Sequence, residues 1–428
     1  MSNFDKIFDE KNIQYIQFQF TTIFGDFKTV EFPANIWDSL KDGTGIDGSS
    51  LGLLTTEQSD MIIVPDLNTF SVLPWSPKVG RFICDLYTNH GKPYPTCPRG
   101  ILKKAISKAN SLGYEYYTRP ELEWYFITNN LEPVDAGTYM DTLPQDKYQE
   151  LRRRITDDII EMGIRVKIIH HEFGPGQQEI EFDSSNALSQ ADNIQTSKLT
   201  VKVRAFYNGL ISTFLPKPFP EFAGSGLHIH QYLKNNGNNV FIDKENDLSD
   251  TLKFYIGGIQ KHIKAISAIL NPSTNSYRRL VPHHEAPVYN SWGVGNRTAL
   301  IRVPGYEKSA RIEYRAGDAS MNIYLGTAIL LEAGLDGIKN KIWPNEPTLM
   351  NVDMLSDEER KRMGIQKLPE SLEDSLSAFK KSTLIKKVFG KEFIKIYLKF
   401  KTKELQEYME AKKSGKEKEW EYKKYLFC

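Results

Sequence analysis

From Ile13 to Phe20, Ile13, Tyr15 and Gln17 alternate with Gln14, Ile16 and Phe18, a period of two that predicts a strand. Lys28 to Phe32 repeats the period and suits a hairpin partner, while Asp60 to Asp66 and Arg81 to Tyr87 read as further short strands. Pro93, Pro95 and Pro98 then punctuate the chain. Pro98 opens a helix with Ile101, Leu102, Ala105, Ile106, Ala109 and Leu112 on one face, and Gly113 ends it. This change of period sets a domain boundary near residue 95, dividing the chain into 1–95 and 96–428. Helical spacing recurs near 145–162, 187–208, 250–270 and 322–339, interleaved with strands. The Lys/Glu-rich tail from Lys401 to Lys424, with Glu404, Glu407 and Glu410 stepping by three, reads as a solvated helix face.

Strands beyond the boundary carry ionisable residues on one face. Glu121 and Glu123 oppose Leu122 and Trp124; Glu179 and Glu181 oppose Ile180 and Phe182; His228 and His230 oppose Leu227 and Ile229. Arg311, Glu313 and Arg315 oppose Ile312 and Tyr314 in the same way. Any one such strand is an ordinary half-buried strand. As a set they are unusual, because the polar positions are Glu, His and Arg without Thr, Ser or Lys filler. Histidine is also clustered, in His170/His171, His228/His230 and His283/His284. A sheet that gathers so many carboxylates needs cations to keep them ionised together. Oxygen donors with one imidazole suit Mg²⁺ or Mn²⁺ better than Zn²⁺. Between Arg278 and Arg315 lie Arg279, Arg297, Arg302 and Arg311, and arginine forks bind carboxylate and phosphate bidentately. Metals plus arginines, without a nucleophile constellation, suggest metal-assisted phosphoryl transfer.

Composition narrows the field. The chain has 428 residues with 55 Lys+Arg and 54 Asp+Glu, a formal charge of +1, which argues against a scaffold for nucleic acid or anionic membranes. At 40% apolar and 12% aromatic it can bury a large core. Cys84, Cys97 and Cys428 form no C-x-x-C pair, and the absence of a signal-like start or a long apolar run makes a soluble cytoplasmic protein the expectation. Gly43-Thr-Gly-Ile-Asp-Gly48 matches G-x-G-x-x-G in letters only. It follows a helix-like segment and opens no helix, so a dinucleotide site is rejected. Gly224-Ser-Gly226, just before His228, instead lets backbone approach a ligand closely.

The motifs together resemble glutamine synthetase of the bacterial and archaeal type. They run in order from Phe18–Lys28 and Asp47-Gly-Ser-Ser50 through Pro120-Glu-Leu-Glu, His170-His-Glu, Pro175-Gly-Gln-Gln-Glu and Pro216-Lys-Pro. They continue through Gly224-Ser-Gly-Leu-His, Asn275-Ser-Tyr-Arg-Arg-Leu-Val-Pro, Glu285-Ala-Pro, Asn296-Arg and Arg311-Ile-Glu-Tyr-Arg. The resemblance implies an α+β fold: a small amino-terminal β-grasp domain on a larger catalytic domain whose curved antiparallel sheet is flanked by helices. It implies a dodecamer of two hexameric rings with active sites between subunits. The activity it implies is ATP-dependent ligation of ammonia to the γ-carboxyl of L-glutamate.

Carried over by position, Glu123, Glu172 and Glu179 match ligands of one divalent ion, and Glu121, His228 and Glu313 those of the other. His230, Arg302, Lys308 and Arg311 match the ATP side, and Arg297 matches the arginine facing the transferring phosphoryl group. Gly224, Arg279 and Arg315 match glutamate contacts, and Asp47, Ser50, Tyr139, Glu172 and Glu285 the ammonium pocket. Asp47, Glu285 and Arg297 are the implied catalytic groups. The sequence departs from the family pattern at Ala223 (usually Asn), at His283-His284 before Glu285, at Arg119 (usually Gly) and after Arg315. These changes keep two alternatives in view, a ligase of glutamate to an organic amine and a catalytically silent homologue. Asp353 stands where some bacterial members carry a modifiable tyrosine, so control by adenylylation is not expected.

Overall fold

A computed structural model describes residues 3–54, 56–245, 247–282, 284–305 and 310–428; Lys308 and His283 lie outside the described residues. The first unit is built around two long neighbours, Tyr15–Thr21 and Ser76–Thr88, which pair in parallel. Antiparallel strands flank them: Phe27–Pro33 returns as a hairpin on one side, and Asp60–Pro65 followed by Thr44–Asp47 extends the other. This is a β-grasp arrangement. The helix Asn3–Glu10 was not anticipated, because the alternation that follows it dominates the local pattern. It turns Phe4 and Phe8 onto Trp37, Phe70 and Phe82, with ring centroids 5.2–5.7 Å apart. The glycine-rich Gly43–Gly48 stretch is itself strand Thr44–Asp47.

The second unit curls a sheet into a half-barrel. Its main strand order is Trp292–Val294, Ile301–Val303, Ile312–Tyr314, Leu227–Asn235, Glu115–Ile127, Gln177–Phe182 and Val166–His171. Pairing along this path is antiparallel except for Trp292–Val294 against Ile301–Val303, so the sheet is mixed at one edge rather than wholly antiparallel. Leu122, Trp124, Ile180, Phe182, Leu227, Ile229, Ile312 and Tyr314 are at most 1% exposed and join the helices Ala187–Tyr207, Asp250–Leu270 and Ile323–Asn340 in one core. Each such side chain is worth about 1.5–3 kcal/mol, and their sum is what lets the other face be crowded with charge.

The helix expected near 145–162 starts at Gln149, because Pro144 and an Asp146–Arg152 ion pair at 2.6 Å occupy the preceding turn. The tail also differs from expectation. It forms helices Thr383–Lys413, broken at Gly390, and Glu417–Tyr425. Glu410 is solvated as expected, but Lys401, Glu404 and Glu421 are buried. Lys401 reaches Glu404 at 3.0 Å, and the Tyr425 hydroxyl donates to Glu404 at 2.8 Å. Charge spacing along a helix cannot reveal a partner such as Tyr425, which comes from the next helix.

Candidate active site

Strand register assembles the charged face. Glu121 stands opposite His228 on one side and Glu181 on the other; Glu123 stands opposite Glu179, which in turn faces His170. His230 faces Glu313, and Glu313 faces Arg302. Apart from His230, these side chains open on a cavity of about 480 Å³. Its walls include Glu121, Glu123, Glu172, Glu179, His228 and Glu313, along with Tyr139, Gly224, Arg279, Glu285, Arg297, Arg302 and Arg315. Gly226 is required by this crowding: a Cβ there would lie 2.7 Å from His228 Nε2 and 3.0 Å from Glu123 Oε1. Its amide donates to Glu123 Oε2 at 2.8 Å, which fixes that carboxylate.

Other expected residues lie apart from this cavity. Asp47 and Ser50 sit exposed on the β-grasp unit, where Asp47 accepts from the Ser49 amide and hydroxyl at 2.8 and 2.6 Å and from the Ser50 hydroxyl. His230 and Arg311 are buried beside the cavity, with Arg311 Nε donating to His230 Nδ1 at 3.0 Å. The other nitrogen of His230 is 2.6 Å from Glu121 Oε1, closer than His228 Nδ1 is to Glu121 Oε2 at 3.3 Å. Both imidazoles therefore face Glu121.

Neighbouring residues to which the sequence assigned no role complete the site. Lys217 and His170 line the cavity, and Glu181 is paired with Arg119 at 2.5 Å. His171 points away from the cavity, as a period of two requires. Its Nδ1 is 2.6 Å from the Glu172 carbonyl, and its Nε2 is 3.2 Å from Asp135 Oδ1. Asp135 Oδ1 also accepts from the Gly176 and Gly137 amides at 2.6 and 3.1 Å, tying the Glu172 loop to the segment bearing Tyr139.

The two halves of the carboxylate cluster differ electrically. Burial would raise Glu121 and Glu313. His230 and His228 outweigh it at Glu121, and Arg315 and His230 at Glu313, so both carboxyls are held below the ordinary range. On the other side nearby cations do not outweigh burial and like charge: His170 acts on Glu172, and Arg315, His228 and Arg279 act on Glu285, yet both carboxyls stay raised. Burial and the charges of Glu123, Glu179 and Glu285 push Glu172 up to about 9. Burial and the charges of Glu121 and Glu123 raise Glu179 well above its usual value. Burial and Glu123 also raise Glu285. A surplus of buried negative charge converging from oxygen donors is what a hard divalent cation neutralises, so the residues present fit Mg²⁺ or Mn²⁺. Within the cluster, ligand atoms of Glu121, His230 and Glu313, and of His170, Glu179 and Glu181, lie within 4.8 Å of one another.

This has a measurable consequence. Between pH 4.5 and about 9, folded Glu172 holds a proton that the unfolded chain has released, and Glu179 is shifted in the same direction, so both cost stability progressively as pH rises. The rise in melting temperature on adding Mg²⁺ to the chelator-treated protein should therefore grow from pH 6 to pH 8.5. Calorimetry that finds the same rise at both ends would remove this account of the cluster.

A β-grasp unit joined to a curled sheet that collects carboxylates, imidazoles and arginines defines a metal-dependent ligase of the carboxylate-activating kind. The family model described as "Glutamine synthetase, beta-Grasp domain" matches residues 12–89, and "Glutamine synthetase, catalytic domain" matches residues 95–425. The chain belongs to the glutamine synthetase family. It is 42% identical over 436 residues to the glutamine synthetase of Thermotoga maritima, covering 99% of this chain and 98% of the relative. It is also 42% identical over 434 residues to that of Pyrococcus furiosus, covering 98% of each. Among solved structures it is similar to "GmaS/ADP complex-Conformation 1", with a TM-score of 0.89 at 28% identity and full coverage of both chains. "Apo GmaS without ligand" gives a TM-score of 0.87 at the same identity and coverage.

Proposed function

We propose that this enzyme makes L-glutamine from L-glutamate, ammonium and ATP through γ-glutamyl phosphate, releasing ADP and phosphate. The observation that carries the reading is one chamber in which surplus carboxylates face Arg279, Arg297 and Arg315. A free carboxylate is a poor electrophile, so its oxygen must first be phosphorylated before an amine can displace it. Arg279 and Arg315, with the Gly224 backbone, hold glutamate. Arg302, Arg311, His230 and Lys308 take the nucleotide side, and Arg297 faces the phosphoryl group in transit. Glu123, Glu172 and Glu179 would hold one Mg²⁺ or Mn²⁺ ion, and Glu121, His228 and Glu313 the other. Bound there, such ions offset phosphate charge during transfer.

Ammonium is a cation and is drawn to Tyr139, Glu172 and Glu285. Asp47 and Ser50 complete that pocket from the amino-terminal domain of a neighbouring subunit, in a dodecamer of two hexameric rings. Hydrogen bonds from Ser49 and Ser50 hold the Asp47 carboxyl down to about 2, so it meets ammonium ionised. Glu285, at the exposed rim, would shield the acyl phosphate from water. Among the described residues no helix is long and apolar enough to cross a membrane; a cytoplasmic location is part of the proposal.

Ligation to an organic amine is not favoured. Relatives named glutamine synthetase are 42% identical across nearly the whole chain, and Tyr139, Glu172 and Glu285 all line the cavity. A silent homologue is disfavoured because all six proposed metal ligands converge on the same chamber. The test is ATP turnover with glutamate plus ammonium against methylamine, ethanolamine and putrescine. Ammonium should be the fastest acceptor, and faster turnover with an organic amine would reverse the assignment.

A further inference from the structure

Glu421 is a carboxylate only 2% exposed, in a tail whose composition promised solvent. Its Oε2 accepts from Asn275 Nδ2 at 2.9 Å and lies 2.8 Å from Arg278 Nε; its Oε1 accepts from Thr274 Oγ1 at 3.2 Å. All these contacts fall on the segment that runs into the short helix Ser276–Arg279, whose last residue lines the cavity. Asn275 reaches a second cavity segment. Its Oδ1 accepts from the Lys217 amide at 2.7 Å, and its Nδ2 donates to the Lys217 carbonyl at 3.2 Å. The adjoining Pro216 carbonyl accepts from the Ser225 amide at 2.8 Å, and a Cβ on Gly224 would lie 2.5 Å from that same carbonyl. From the next residue of the tail, the Tyr422 hydroxyl donates to the Pro218 carbonyl at 2.6 Å.

We propose that the terminal helix Glu417–Tyr425 is a buttress of the glutamate pocket and that Glu421 is its positioning residue; this rests on the reading of Arg279 and Gly224 as glutamate contacts. One carboxylate braces two backbones at once, the one that ends in Arg279 and the one that backs Gly224. The charge is needed as well as the shape. Oε2 sits against both Asn275 Nδ2 and the Arg278 guanidinium, and a glutamine at this position would leave that cation facing a neutral amide and put an NH2 group where Oε1 accepts from Thr274 Oγ1. Burying a carboxylate at all demands such partners.

The experiment is steady-state kinetics of the full-length enzyme with E421Q, E421D and Y422F, alongside the Mg²⁺-induced thermal shift. E421Q should raise KM for glutamate by about 10-fold while KM for ATP and the Mg²⁺ shift stay near wild type, a loss confined to substrate binding. E421D keeps the charge and should fall between wild type and E421Q. Y422F removes only the Pro218 hydrogen bond and should raise the same KM by about 2-fold, which keeps the test open if E421Q does not fold. An unchanged KM for glutamate in Y422F and in folded E421Q would overturn the proposal. So would parallel losses in every kinetic constant with a lower melting temperature, since that marks a purely structural role. Absence of glutamate-dependent turnover in the wild type would strike the functional reading first, and this proposal with it.

Discussion

Glu179→Gln should raise the melting temperature of the metal-free protein and at the same time cut glutamine formation at least about 100-fold. Glu179 is buried and its carboxyl is raised by burial and by four neighbouring carboxylates. Glutamine has the same shape without the charge, so metal-free protein gains by about 1–3 °C while a proposed ion loses a ligand. Because the folded carboxyl titrates above the unfolded one, the cost it imposes grows with pH, and so should the advantage of the variant. Glu313→Gln should be as inactive but less stable. Glu313 Oε2 accepts from Arg302 Nη1 at 2.8 Å, and its Oε1 from Arg315 Nε at 3.0 Å. Losing that anion strands buried guanidinium charge, at about 3–5 kcal/mol. The same chemical change at two proposed ligands thus has opposite signs. Melting curves of both variants in chelator that move the same way would refute the division of the cluster into compensated and under-compensated halves.

That division could not be read from the sequence, although its ingredients could. Alternation of Glu121/Glu123, Glu179/Glu181 and His228/His230 with apolar partners was legible because a strand forces period two, and the structure places all three segments side by side. Which imidazole meets which carboxylate depends on cross-strand register. No local pattern carries that, and so His230 approaches Glu121 more closely than His228 does. The pairing of His170 with His171 was a misleading unit: successive strand residues face opposite ways, one toward Glu179 and one toward Asp135. Helix ends followed the cap residues, as at Asn186, Ser249 and Asn322, whose side chains accept from the amides of the first turn. The tail failed as a prediction because its i, i+3 charge spacing is common to solvated and buried helices alike. Only contacts from Glu421 to Thr274 and Asn275, far away in the chain, decide between them.

Arg99→Met should loosen the junction that carries Asp47, with a stability loss as large as that of Glu313→Gln. Arg99 is 3% exposed in the first turn of the Pro98–Ser111 helix, where a cation is disfavoured by the helix dipole. It is held there by carboxylates from both units. Nη2 lies 2.8 Å from Asp66 and 2.9 Å from Asp192, Nη1 lies 3.0 Å from Asp85, and Nε donates to Asp192 at 3.0 Å. Asp192 is further fixed by the Tyr324 hydroxyl at 2.7 Å. Methionine fills similar space but leaves Asp192 and the two β-grasp carboxylates facing one another, with Lys103 reaching only the outer pair. A loss of about 3–5 kcal/mol is expected. The pH dependence supplies an independent check. Burial would raise Asp66, but Arg99 outweighs it and holds that carboxyl below its usual value. Its contribution is therefore present at neutral pH and lost as pH falls through the folded value. In the variant that acid-side loss should shrink, so the wild-type and Arg99→Met melting temperatures converge toward pH 3. If Asp47 completes a neighbour's pocket, the variant should also raise KM for ammonium, because the unit that carries Asp47 is no longer rigidly seated. Melting temperatures that stay equally far apart from pH 7 to pH 3 would show that the Arg99 contacts contribute packing rather than charge.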